Sequence, residues 1–101
     1  MLIRSQDKKK LIPIMPIDIT EIVRSSRGEI NKVDGYAIYS YDNANTILGN
    51  YSTEEKAIKV LDMIEDAYNK CFAFTMGNDG YYHEVRESKV FQMPQDEEVK
   101  V

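Results

Sequence analysis

Hydrophobic side chains recur along residues 53–70 at i, i+3, i+4 and i+7. Ala57, Val60, Leu61, Ile64, Ala67 and Tyr68 fall on one stripe, with Ile58 and Met63 at its margins. Lys56, Lys59, Asp62, Glu65 and Asp66 occupy the opposite side. That spacing predicts an amphipathic helix over about 53–70, its polar side in water. Ser52 and Glu55 read as an S-x-x-E capping box at its start. Glu54 and Glu55 suit the positive end of the helix dipole, and Lys70 the negative end.

Elsewhere the period is nearer two. Residues 2–6 read as a short strand and 7–10 as a turn. Residues 11–15 read as an edge strand or arm, because Pro13 and Pro16 each lack an amide donor. Ile17, Ile19 and Val23 share a face of a further strand; residues 25–35 are polar, with Gly28 and Asp34-Gly35 as turn signals. Over residues 36–41, alternation sends Tyr36, Ile38 and Ser40 to one side and Ala37, Tyr39 and Tyr41 to the other. Residues 42–45 form a turn and 46–51 a hairpin partner. Residues 71–76 read as a buried strand or a continuation of the helix, and 77–80 as a glycine turn. Residues 81–85 return as a strand, 90–93 form a last one, and 95–101 an acidic tail. The expected class is α+β: a mostly antiparallel sheet of five to six short strands packed by one main helix, in a single domain spanning 1–101.

The composition fits a small folded protein, with 43% hydrophobic and 30% charged residues among 101. Cys71 is the lone cysteine, so no internal disulfide forms, and a reducing cytoplasm is the expected setting. The longest apolar run, residues 11–17, is too short to cross a bilayer. Residues 1–33 carry seven basic and four acidic side chains, residues 34–101 six and thirteen. A net charge of −4 is wrong for wrapping nucleic-acid phosphates, which takes clustered lysine and arginine. Lys8, Lys9 and Lys10 form the one basic run, suited to a solvated loop or a single phosphate.

Motifs for chemistry are missing. His83 and Cys71 have neither the paired spacing of a zinc site nor the polar setting of an activated thiolate. Neighbouring carboxylates such as Glu54/Glu55 sit on an exposed helix face, and Gly77-x-x-Gly80 is too short for a phosphate loop. No catalytic residue, metal or cofactor is expected. Tyrosine stands out, seven copies with no tryptophan. These rings either rim the core or make a contact surface for a base, a nucleotide or a protein.

Three segments, MLIRSQDKKKL (1–11), ILGNYSTEEKAIKVLDMIE (47–65) and VFQMPQDEEV (90–99), together resemble small uncharacterised proteins encoded by phages and prophages of Gram-positive bacteria. The resemblance implies a setting and transfers no catalytic role. Products of such genes are often binders of host components. The expectation is a non-enzymatic accessory protein in the host cytoplasm, a homo-oligomer acting against host defence. It would sequester a nucleotide signal or inhibit a defence protein. For a nucleotide, Tyr36, Tyr39 and Tyr81 would stack on bases, and Arg4, Lys8, Lys9 and Lys10 would hold phosphates. The alternative is a protein–protein module in phage development, docking through the acidic helix face or the tail.

Overall fold

A computed structural model describes residues 1–14, 16–24, 32–41, 46–86 and 89–101. Its strands are β1 (Leu2–Arg4), β2 (Leu11–Pro13), β3 (Ile17–Arg24), β4 (Lys32–Ser40) and β5 (Ile47–Tyr51), then β6 (Phe72–Met76), β7 (Tyr82–Arg86) and β8 (Val90–Gln92). One helix, α1 (Glu54–Asn69), separates β5 from β6, and a 3-10 turn at Asp96–Glu98 follows β8. The α+β class with one main helix stands, and antiparallel pairing dominates. The strands divide into sheets ordered β2-β1-β8 and β3-β4-β5 and a ribbon β6-β7. Only β1 and β8 run parallel among the described pairs. The expected turn at 42–45 and the Gly28 signal lie outside the described residues.

α1 lies over β4 and β5. Ala57, Val60 and Ile64 bury its stripe against Ile3, Ile38, Leu48, Tyr51, Met93 and Val99. Eight of these nine core residues come from the three segments quoted above, Ile38 being the exception. That pattern is therefore a core signature. The Tyr36, Ile38 and Ser40 side of β4 faces the core as read, Ile38 and Ser40 buried and Tyr36 half-buried, while on the other side Tyr41 is exposed and Ala37 is buried.

Three local readings are corrected. Thr53, not Ser52, caps α1, its hydroxyl accepting the Lys56 amide at 3.2 Å. The amide and hydroxyl of Ser52 instead donate to the Asp96 carboxylate at 2.8 and 3.1 Å. Lys56, expected in water, is half-buried and donates to the Asp96 carbonyl at 3.0 Å and its carboxylate at 3.3 Å. The Ser52 amide is the main reason Asp96 stays below the usual carboxylate range, with the Ser52 hydroxyl and Lys56 adding to it. Asp96 thus ties residues 95–101 to the start of α1, and Val99 completes the core beside it. Finally, Asp34-Gly35 is no turn. It lies within β4, at a bulge where Ile22 faces Gly35 and Val23 faces Val33, leaving Asp34 as the extra residue.

Gly35 is needed there by close approach. A Cβ at this position would stand 2.9 Å from the Tyr51 carbonyl oxygen, a backbone atom that moves only if β5 moves. Gly35→Ala should cost about 2 kcal/mol by overpacking. Thermal unfolding followed by circular dichroism checks this, and an unchanged melting temperature would refute it.

Glutamines stitch the segments together. The Gln6 amide donates to the Leu48 carbonyl at 2.7 Å. Its side chain then imitates a strand residue along β5: Nε2 donates to the Asn50 carbonyl at 3.1 Å, and Oε1 accepts the Asn50 amide at 2.9 Å. Gln6 Nε2 also reaches the Pro94 carbonyl at 3.2 Å, Gln92 Nε2 the Ser5 carbonyl at 3.0 Å, and Gln95 Nε2 the Gln6 carbonyl at 2.8 Å. The outer edge of β5 is closed this way without another strand.

The molecule is long and thin, 71 × 31 × 19 Å, with a radius of gyration of 17.4 Å. A compact chain of this length would have about 13 Å. Its accessible surface is 7336 Å², against about 5,900 Å² for a globular monomer of equal mass.

Candidate functional site

The face of β3-β4-β5 turned away from α1 carries Asp18, Thr20, Tyr39, Tyr41, Ile47 and Asn50. These are exposed except Tyr39, which is half-buried; Ala37, between Thr20 and Asn50 on the same face, is buried. Strand register sets Asp18 directly across from Tyr39 on one side and Ile47 on the other. Tyr41 follows Tyr39 two residues on, so it shares the face. The two rings meet edge to face, centroids 5.1 Å apart at 71°.

Their hydroxyls form a directed chain ending on the carboxylate. Asp18 is ionised and only accepts, so the Tyr41 hydroxyl donates to Oδ2 at 2.8 Å. That uses Tyr41's single proton, and the Tyr39 hydroxyl therefore donates to Tyr41 at 3.1 Å. The other Asp18 oxygen, Oδ1, accepts the Ile19 amide at 2.7 Å. The Tyr41 bond, and after it the Ile19 amide, hold the carboxyl below its ordinary range. Tyr39 and then Asp18 push the Tyr41 phenol well above its own, so it remains a proton donor throughout the physiological range.

The seven residues singled out from sequence do not gather into one pocket. Tyr36 and Tyr39 project from opposite faces of β4, Tyr36 against the core and Tyr39 outward. Arg4 is exposed on β1. Lys8, Lys9 and Lys10 are exposed in the β1–β2 turn, where Lys8 takes a positive φ of 67°. The Asp7 carboxylate orders that turn by accepting from the Ser5 hydroxyl and the Lys9 amide. Tyr81 is 72% exposed beside the Gly77–Gly80 turn, where Gly80 has φ +84°. Tyr41 and Asp18 were missed as site residues. Alternation would have found Tyr41, whereas Asp18 needs the β3–β4 register.

Grooves flank α1 on both sides. One, of about 330 Å³, runs between α1 and β8, lined by Met1, Met63, Ala67, Val90 and Phe91, with Asp66, Lys70 and Lys89 at its rim. The other, of about 390 Å³, lies between the outer side of α1 and the last two residues. Neither is lined by any of the seven. The Asp66 carboxylate at the first rim is paired with Lys70 at 2.9 Å.

Cys71 is buried, its thiol donating to the Ala67 carbonyl at 3.4 Å. Register sets His83 opposite Thr75, four positions along the chain from Cys71 and about 13 Å at strand spacing. Among the described residues no group of three or more His, Cys, Asp or Glu side chains is arranged to hold a metal ion. No described helix is long and apolar enough to cross a membrane. Compared with known protein families, with characterised proteins and with solved structures, the chain gives no match.

Proposed function

We propose that this chain is a non-catalytic binding protein, an accessory product of a phage or prophage of Gram-positive bacteria. In this reading it works in the host cytoplasm as a homo-oligomer and occupies a host defence protein. The setting rests on the resemblance of its three core segments. The mode of action rests on one observation: the Tyr39–Tyr41–Asp18 face exposes Tyr41 with Ile47 beside it, a tyrosine pair of the kind that interfaces favour.

Neither described groove includes this face, which supports a protein as the target over a nucleotide. Tyr36 and Tyr39, on opposite sides of one strand, cannot clamp a single base between them. The oligomer draws support from the excess surface of about 1,400 Å² over a globular monomer, more than the ~800 Å² each partner contributes to an ordinary interface.

The test pairs the wild type with Ile47→Lys and Tyr39→Ala variants, both of which should retain the fold. The wild type should bind one purified host defence protein, with hydrogen exchange slowed in β4 and β5. Both variants should lose that complex while melting normally. Light scattering should give a mass of two or more chains. If a cyclic dinucleotide raises the melting temperature by several degrees and the face variants bind the host protein unchanged, the reading fails.

A further inference from the structure

We infer that the Tyr39–Tyr41–Asp18 corner is a receptor for the guanidinium group of an arginine side chain presented by a protein partner. This rests on the reading of the open face as the binding surface, and adds the chemistry it recognises.

The Asp18 carboxylate is the centre of the corner. Its two oxygens offer about four acceptor positions. Tyr41 takes one on Oδ2 and the Ile19 amide takes one on Oδ1. One position remains on each oxygen, the demand of a two-pronged donor. Among the described residues, no lysine or arginine forms a salt bridge with Asp18. The negative charge is held in a fixed orientation by two donors, and no cation among the described residues neutralises it.

The walls come next. Tyr39 and Tyr41 stand 71° apart, the Tyr39 hydroxyl on that of Tyr41 and the Tyr41 hydroxyl on the carboxylate. A cation seated on Asp18 therefore lies beside aromatic rings, and Tyr41 is 48% exposed. A ring face attracts a cation within about 6 Å through its quadrupole. Guanidinium suits both features at once, since it is planar, forks onto two oxygens and is weakly hydrated. A lysine ammonium is a strongly hydrated point charge, so it would use the carboxylate without the fork or the stacking. The chain's net charge of −4 also favours a cationic partner group over an anionic one. An exposed pair of this kind is weak alone, so a single arginine should bind in the millimolar range, and a partner would add area around it.

The experiment titrates ¹⁵N-labelled protein with three probes: N-acetyl-arginine amide, N-acetyl-lysine amide and the neutral isostere N-acetyl-citrulline amide. Arginine should shift the amides of residues 18, 19, 39 and 41, lysine should bind about fivefold more weakly, and citrulline should leave them unchanged. Asp18→Asn should abolish the response while the spectrum stays dispersed. Tyr41→Phe, which keeps the wall and drops the anchoring hydroxyl, should retain binding within about threefold. An equal response to citrulline, shifts centred elsewhere, or undiminished binding by Asp18→Asn overturns the assignment. If the face variants still abolish partner binding while arginine moves nothing here, the arginine chemistry is wrong and the face reading survives. If arginine binds at the corner while partner binding ignores the face, the face reading falls and the arginine site stands.

Discussion

Tyr51→Ala should remove a large share of the protein's stability and lower its melting temperature by more than about 12 °C. Tyr51 is among the largest fully buried side chains, at 2% exposure. Its ring covers Gly49, where an added Cβ would come within 3.1 Å of the hydroxyl and 3.2 Å of the ring. Truncating a buried aromatic to alanine costs about 3–5 kcal/mol. A domain of this size has only ~5–15 kcal/mol in total. Tyr51→Phe separates the ring from the hydroxyl. The hydroxyl donates to the buried Pro94 carbonyl at 2.8 Å, and burial, then the charges of Asp96 and Glu98, keep it protonated. Pro94 retains its bond from Gln6 in the variant, so no carbonyl is stranded and the loss should be about 1 kcal/mol. In melting temperature that is about 4–8 °C for phenylalanine, and more than about 12 °C for alanine. Thermal unfolding by circular dichroism reads both. Near-equal melting of Tyr51→Ala and wild type would remove Tyr51 from the core.

Gln6→Ala should cost about 2 kcal/mol, a large effect for a polar residue that is not fully buried. Three bonds go at once: Nε2 to the Asn50 and Pro94 carbonyls, and Oε1 from the Asn50 amide. Water reaches the Asn50 groups and recovers part of the loss, which holds the figure below the sum of three. Gln6→Glu should be worse, because a carboxylate presents lone pairs to two carbonyl oxygens and has no proton to give. Hydrogen exchange at the Asn50 amide provides the specific readout. It should quicken in both variants more than the exchange of α1 amides does. Equal acceleration across the whole chain would mean that Gln6 contributes only global stability.

What could be read from the residues divides along the range of the interactions. The α1 stripe and the pleat of Tyr36 to Tyr41 depend on neighbours within a few positions, and both were legible. The capping of α1 was not, because Ser52 is claimed by Asp96, 44 residues along the chain. Lys56 fits the polar side of the helix by period alone, yet the same Asp96 draws it inward. Asp34-Gly35 has the composition of a turn, and only the approach of the Tyr51 carbonyl shows why a glycine stands inside β4. The division into separate sheets depends on which strands pair, and pairing β1 with β8 joins opposite ends of the chain. The candidate site behaved alike. That Tyr39 and Tyr41 share a face follows from alternation, while their union with Asp18 needs a register that no local pattern encodes.

The closure of the β5 edge by Gln6 has a consequence for synthesis. The Pro94, Gln95 and Asp96 groups that hold Gln6, Tyr51 and Ser52 are made after β1 to β5 and α1, as are Met93 and Val99 of the core. While earlier strands are already exposed, the nascent chain cannot complete its core, and the step that does so brings together residues about 88 positions apart. Joining such distant partners is slow. The newly made protein therefore spends a time with β1 lacking β8 along one edge, a window in which a chaperone or a second nascent copy meets that unfinished edge before residues 90–92 do.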